Sequence, residues 1–332
     1  MGVMRYRTYG DSDVTASEIG FGLWTVSTGW WGDVSDDRAV ELIRAAFDAG
    51  ITLFDSADAY AAGRADHLLA KALKDHRDEI TIATKFGYDI NAPHDTTGHT
   101  ERPHNWEPGF LRRNLEETLK RLETDRIDVY QLHNPRMDAV VRDDLWALLD
   151  ELVAEGKIRI YGPAMGPAIG HQEDGLEALQ TRPGIRVFHH IFNVLEQSPG
   201  AEFNELAREK GVGVMVRVPH SSGLLEGKYD ENTTFDGNDH RSHRKREWLT
   251  EGLAKLRQLD FLVTPDRTIG QAALKWVLAE PAVTSVLPNI YDDAQLAEFA
   301  AASDQADLTQ EELAAIAELY ERNFDLEATP TA

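Results

Sequence analysis

Ile51-Thr52-Leu53-Phe54-Asp55 is a short run rich in β-branched and aromatic residues that stops on an acid. Such a run reads as a strand. Two more runs share the design: Ile80-Thr81-Ile82-Ala83-Thr84-Lys85 stops on an amine, and Ile127-Asp128-Val129-Tyr130-Gln131-Leu132 runs into His133. Further strand-like runs at 19–22, 158–162, 187–191, 212–217 and 284–287 bring the count to eight. Apolar residues recur at helical spacing between them, over 38–49, 66–74, 108–122, 144–155, 201–210 and 269–279. Strand and helix alternating eight times predict an α/β fold, a (β/α)8 TIM barrel whose site lies at the C-terminal ends of its strands.

No linker or short repeat interrupts the chain, so one domain over residues 1–332 is expected. Residues 6–8 and 13–15 suggest an N-terminal β-hairpin turning at Gly10-Asp11 and plugging the bottom of the barrel. Two long polar loops, 86–107 and 229–247, are expected to shape the mouth.

Composition excludes several classes. The chain carries 57 acidic and 34 basic residues, a formal charge of -23. Like charge repels phosphate backbones and anionic membranes, so neither nucleic acid nor a membrane is an expected partner. Cysteine is absent, which removes disulfides, thiolate nucleophiles and thiolate-bound zinc. No apolar run reaches about 18 residues, and Met1-Gly2-Val3-Met4-Arg5 lacks the apolar stretch of a signal peptide, so a cytoplasmic location is expected. Only 10 of the 34 basic residues are Lys, and acids are spread along the whole chain, a surface suited to high salt and a halophilic source. Self-association into a homo-oligomer stays open.

Asp55, Tyr60, Lys85 and His133 offer an acid, a phenol, an amine and an imidazole at or just beyond three successive strand ends. Reducing a carbonyl needs hydride at carbon and a proton at oxygen. A phenol, with its ordinary pKa of about 10, cycles its proton poorly near neutrality. A neighbouring ammonium stabilises the phenolate and lowers that pKa, a carboxylate holds the ammonium, and an imidazole can steer the substrate oxygen or relay the proton. Singly, each residue has a plainer reading as a cap, a packed aromatic, a solvated charge or a structural histidine.

Together they resemble the aldo-keto reductase superfamily. Gly50-Ile51-Thr52-Leu53-Phe54-Asp55-Ser56-Ala57-Asp58-Ala59-Tyr60 is similar to its first signature, continued by Gly63, Arg64 and Asp66, with Ala61 where Gly is frequent. Ala83-Thr84-Lys85-Phe86-Gly87 resembles the segment carrying the Lys, and 119–133 the second signature with its His. The likeness runs from Gly20-Phe21-Gly22 to Val286-Leu287-Pro288. It implies an oxidoreductase acting on an aldehyde, a ketone, the corresponding alcohol or a sugar, with NADP(H) or NAD(H). Tyr60 would be the acid or base, Lys85 its activator, Asp55 the partner of Lys85 and His133 the group steering the carbonyl oxygen.

The resemblance implies cofactor contacts at Gly22, His189, Arg217, Pro219, Ser221, Ser222, Gly223, Leu224, Lys228, Asn289, Gln295 and Glu298. Several of these depart from the pattern. Gly162-Pro163-Ala164-Met165-Gly166 stands where Gly-Val-Ser-Asn usually holds the carboxamide. His189 replaces a usual Gln, and Arg217 a Tyr that stacks on nicotinamide. Pro219-His220-Ser221-Ser222-Gly223-Leu224-Leu225-Glu226-Gly227-Lys228-Tyr229 keeps the small residues of a pyrophosphate strap, whose backbone N–H groups can approach phosphates. Asp292 and Asp293 replace a basic position and should weaken NADP relative to NAD.

The altered carboxamide end leaves two rivals: a non-redox isomerase or lyase on the same barrel, and a cofactor-sensing subunit with little turnover. Trp24 and Trp106 are the candidates to line a substrate pocket. His94, His99 and His104 match no common zinc spacing, and no metal is expected. His189 and His190 alternate along a strand, so only one can face the barrel interior.

Overall fold

The computed structural model describes residues 3–93, 101–166, 171–235, 237 and 239–326. The first two strands, β1 (Tyr6–Thr8) and β2 (Thr15–Ser17), pair antiparallel as a hairpin. Eight more form a parallel sheet: β3 (Phe21–Gly22), β4 (Leu53–Asp55), β5 (Thr81–Phe86), β6 (Ile127–His133), β7 (Ile158–Ala164), β8 (Val187–Ile191), β9 (Gly213–Arg217) and β10 (Val283–Leu287). They lie side by side in chain order. The ends meet through a parallel bridge between Ile19 and Val286, where Gly20 N donates to Val286 O at 2.8 Å and Val286 N to Glu18 O at 2.8 Å. The expected (β/α)8 barrel is therefore the observed one, with strand boundaries displaced by one or two residues.

Helices over Asp36–Asp48, Arg64–Leu73, Pro108–Leu122, Asp143–Ala154, Gln172–Thr181, Gly200–Glu209, Ile269–Leu278 and Asp293–Ala301 follow the eight strands in turn. Their starts are chemically marked. Ser35 accepts from Arg38 N, Pro108 occupies the first turn, and Thr268 with Gln271 forms a reciprocal capping box. The helix Arg246–Arg257 is inserted after β9 and shortens the expected 229–247 loop at its far end. No helix among the described residues is long and apolar enough to cross a membrane.

Side chains on a strand alternate between faces, and here the alternation sorts the barrel interior into layers. Leu53, Ala83, Val129, Val187 and Met215 meet in one apolar layer with Ile160 and Leu287. Two residues further along β4, β5, β6, β8 and β9 stand Asp55, Lys85, Gln131, His189 and Arg217. One step in the register thus converts a dry core into a polar ring. The same dry layer takes Tyr9, Val14 and Ala16 from the hairpin, which seals the barrel floor. The hairpin's second strand is Thr15–Ser17, two residues later than expected. The intervening residues make the turn: Tyr9 N donates to Val14 O at 2.9 Å, and Gly10 has φ 48 with a Cβ there falling 2.0 Å from Gly211 O. Gly162 has a similar excuse on the opposite side, because a Cβ would lie 1.7 Å from Val187 O.

Candidate active site

Lys85 is wholly buried, and its three N–H bonds find three acceptors: Asp55 Oδ2 at 2.6 Å, Ser56 O at 2.9 Å and Tyr60 Oη at 3.1 Å. Burial pulls its pKa down, but attraction to Asp55 and to Tyr60 outweighs that, and the net shift is upward, so the amine stays an ammonium. Tyr60 reaches it from a tight turn, Tyr60–Gly63, whose Ala61 and Ala62 have φ 48 and 54. Ala61, where the resembled pattern favours Gly, therefore does occupy the left-handed region. The turn is braced from behind. Buried Asp66 accepts from Ser56 Oγ at 2.6 Å and from Arg121 Nε at 2.9 Å, and Asp58 accepts from Asn114 Nδ2 at 2.8 Å.

His133 ends β6 edge-on to Tyr60, with ring centroids 5.9 Å apart at 81°. Burial, then the charges of Lys85 and Arg217, hold its pKa well below the ordinary histidine value, so the ring is neutral. Tyr60, Lys85, Asp55 and His133 are thus together, as the strand ends suggested.

Sequence reasoning missed the residue that extends this group. Gln131, fully buried on β6, gives Nε2 to Asp55 Oδ1 at 3.3 Å and meets His189 Nδ1 through Oε1 at 2.8 Å. The signal was available, since Gln131 lies two residues before His133 and so on the same face of the strand. His190 points the other way, into the helix layer, where Nε2 meets Asn204 Oδ1 at 2.9 Å.

The polar ring floors a cavity of about 280 Å³. Of the expected cofactor and substrate residues, Gly22, Trp24, His189, Arg217, Ser222 and Asn289 line it beside Asp55, Tyr60 and His133. Thr25, Trp31, Glu196, His240 and Arg244 also line it and were not anticipated. Trp24 packs edge-on against Trp31 and His240, at 6.0 and 5.0 Å between centroids, and His240 N donates to Trp30 O at 3.0 Å. Parts of two loops remote in sequence thus meet over the mouth.

Trp106, expected in the substrate pocket, packs elsewhere. It is buried, stacked on His104 at 4.9 Å and pressed so close to Gly87 that a Cβ there would lie 2.3 Å from its ring. His104 donates from Nε2 to the His133 carbonyl at 2.9 Å, while His94 and His99 lie outside the described residues.

After β9 the backbone takes left-handed φ at Val218 (56), Ser221 (47), Ser222 (56) and Gly223 (95). Only Gly enters that region without cost, so this strap is held there by its surroundings. Pro219 lies inside the bend. The N–H groups of Ser221, Gly223, Leu224 and Leu225 close turns onto Val218, His220 and Ser221 carbonyls, so these four are committed within the strap. Ser221 Oγ donates to Glu196 Oε2 at 3.1 Å, and Leu224 is buried over Gly252. Lys228 sits 3.9 Å from Glu226. The cation that touches the cavity side of the strap is instead Arg244, whose Nη2 donates to Ser222 Oγ at 3.2 Å.

At the far rim Gln295 is buried. It donates to Glu226 Oε2 at 2.8 Å and accepts from Tyr291 N at 3.1 Å. Glu298 accepts from Thr268 Oγ1 at 2.6 Å, so both side chains already have partners within the chain. Asp292 caps the Asp293–Ala301 helix by accepting from Gln295 N at 2.7 Å, and Asp293 pairs with Arg38 at 2.7 Å. The local negative charge is therefore partly offset by an arginine from the Asp36–Asp48 helix, a contact between residues far apart in the sequence.

Comparison with known proteins agrees with this geometry. A model of the aldo/keto reductase family matches residues 18–321. Aldo-keto reductase YhdN of Bacillus subtilis (strain 168) is 32% identical over 289 residues, 84% of this chain and 82% of that protein. The NADH-specific methylglyoxal reductase of Escherichia coli (strain K12) is 27% identical over 304 residues, 88% of this chain and 91% of that protein. Among solved structures, the holo form of aldo-keto reductase AKR11C1 from Bacillus halodurans superposes with a TM-score of 0.77 at 27% identity, covering 96% of each chain.

Proposed function

The chain belongs to the aldo/keto reductase family, an oxidoreductase family that uses NADH or NADPH, and we propose on that premise that it interconverts a small carbonyl compound and its alcohol through Tyr60, Lys85, Asp55 and His133. The observation that carries this reading is the Lys85 ammonium bonded at once to Asp55 and Tyr60, with Tyr60 and His133 on the wall of the same cavity.

The residues present suit a nicotinamide dinucleotide. The cavity runs from the Tyr60 side to the strap, where the Ser222 hydroxyl and Arg244 offer an anion a donor and a cation. A bound dinucleotide supplies or accepts the hydride. Every other task falls to the chain. Tyr60 Oη passes a proton to the substrate oxygen in reduction and takes it back in oxidation. Lys85 stabilises the phenolate left behind, and Asp55 fixes Lys85 so that no reorganisation is needed at the moment of transfer. The neutral His133 ring offers the substrate oxygen a hydrogen bond without a competing charge. Trp24 and Trp31 give the pocket an apolar side suited to a small organic substrate. A sugar or small aldehyde fits this chemistry.

Tyr60→Phe tests the reading. It removes one oxygen from a buried cluster and should lower the hydride-transfer rate by about 10²–10⁴ while leaving dinucleotide affinity near the unaltered value. Hydride transfer is followed by nicotinamide absorbance in single turnovers. A variant that keeps its rate would remove Tyr60 from the role of acid.

A further inference from the structure

Asp55 governs the polarity of an atom two groups away. A carboxylate only accepts hydrogen bonds, so Gln131 must turn its amide nitrogen toward Asp55 Oδ1, 3.3 Å away. That leaves Gln131 Oε1, which only accepts, against His189 Nδ1 at 2.8 Å. Nδ1 is therefore the protonated nitrogen, and in a neutral ring Nε2 is then an acceptor. Burial, with Lys85 and Arg217 nearby, keeps that ring neutral. His189 is 1% exposed, lines the mouth cavity, and its Nε2 has no partner among the described residues.

Arg217 presents the opposite case on the neighbouring strand. A guanidinium only donates. One of its terminal nitrogens donates to the Met165 carbonyl, while Nε is buried without a partner among the described residues. One orphaned acceptor and one orphaned donor thus belong to two residues that line the cavity from adjoining strands. The donor is tethered to the segment where Ala164 and Met165 bring no polar side chain of their own.

We propose that this pair reads the carboxamide of the nicotinamide ring, Arg217 donating to its carbonyl oxygen and His189 Nε2 accepting from its NH₂ group, with Gln131 as the positioning residue that makes Nε2 an acceptor. The inference rests on the dinucleotide reading above and adds to it which groups hold the ring's orientation. A primary amide has the matching polarity: one acceptor and one donor on the same carbon. A ketone or an ester in that place would satisfy Arg217 alone.

The test compares NADH with its reduced 3-acetylpyridine analogue, in which a methyl group replaces the NH₂. Affinity is read from quenching of tryptophan fluorescence in the full chain, helped by Trp24 and Trp31 on the cavity wall. The unaltered protein should prefer the amide about tenfold, equivalent to about 1.4 kcal/mol. His189→Leu should bring the two ligands within about twofold. His189→Gln, which keeps an acceptor, should retain most of the preference and serves if the Leu variant does not fold. Arg217→Met should weaken both ligands alike, since both keep the carbonyl, and leave their ratio unchanged. Gln131→Leu should reduce the preference without touching the ligand. Equal binding of both ligands by the unaltered protein, or a preference that survives His189→Leu, would overturn the proposal while leaving dinucleotide binding intact. Failure to bind either ligand would overturn the dinucleotide reading and this inference with it.

Discussion

Two walls face each other across the cavity, and they are finished in different ways. On the side of β4 to β6, Lys85 spends every N–H on a neighbour, and Asp55 is engaged by Lys85 and Gln131. On the side of β8 and β9, His189 Nε2 and Arg217 Nε have no partner among the described residues, and three non-glycine residues of the following strap sit at left-handed φ. On the first wall the charged pair Lys85–Asp55 is fully engaged within the chain, although His133 Nδ1 has no partner among the described residues and Ala61 and Ala62 also sit at left-handed φ. The second leaves a guanidinium nitrogen unmet and adds backbone strain along the strap, features that cluster at ligand-binding surfaces. The proton-handling half of the proposed chemistry is thus preorganised by folding, and the dinucleotide half by binding.

Breaking the first wall should have the largest effect. Lys85→Met leaves Asp55 as a buried carboxylate without its cation. Such losses cost about 3–5 kcal/mol of stability, and turnover should fall by at least about 10². Urea unfolding and steady-state rates measure both, and a variant that is stable and active would remove the cluster from the centre of the argument.

Completing the second wall comes next. At a hundredfold excess over its dissociation constant, NADH or NADPH should raise stability by about 2.7 kcal/mol. Amide-exchange protection should concentrate at 218–224, more than at 53–60. Protection spread evenly over both walls would erase the contrast drawn here.

Buried groups behind and along the walls should make stability fall at both ends of the pH range. Burial holds His190, behind β8, and His220, in the strap, near a pKa of about 4. The unfolded chain takes up those protons below about 6.5, so this contribution is complete above that pH and is lost as pH falls toward 4. Asp58, behind the first wall, is pushed up to about 7 by burial. Its folded form keeps a proton that the unfolded chain releases above about 3.9, so its contribution declines as pH rises from there to 7. Asp58→Asn should lessen the decline, the remainder belonging to Glu226 in the strap, which burial also pushes up to about 7, and should leave the acid side unchanged. Unfolding curves between pH 4 and 8 decide this, and an unaltered alkaline limb in the variant would exclude Asp58.

The smallest expected effect lies at the rim. The Arg38–Asp293 pair is exposed, and such pairs contribute about 0.2–1 kcal/mol. Arg38→Ala should raise the KM for NADPH about threefold while leaving that for NADH nearly unchanged. Equal effects on both would show that Arg38 does not sense the 2′-phosphate.

How much of this was legible depends on whether the governing period is local. Asp55, Lys85 and His133 could be read because each closes a β-branched run, and a strand end is a local event. Gln131 follows from the same period of two but was hidden inside a strand whose end drew attention instead. His240 and Arg244 have no such period, since their place over the mouth depends on a loop meeting Trp24 and Trp30 from the other end of the chain. Trp106 shows the reverse error. An aromatic in a long loop suggests a pocket, yet its position is set by Gly87, where a missing side chain lets the indole close on the backbone. The hairpin's partner strand was misplaced by two residues because the turn is longer than Gly10-Asp11 suggests: Tyr9 N closes it onto Val14 O, so Val14 belongs to the turn.

That floor shapes the traffic through the molecule. With Tyr9, Val14 and Ala16 corking one end, the described residues leave the cavity open at the other. On the proposed reading, a long guest lying along the strap and a short one resting above it must pass through the same opening. The last to arrive must be the first to leave. A molecule loaded in that manner works as a stack.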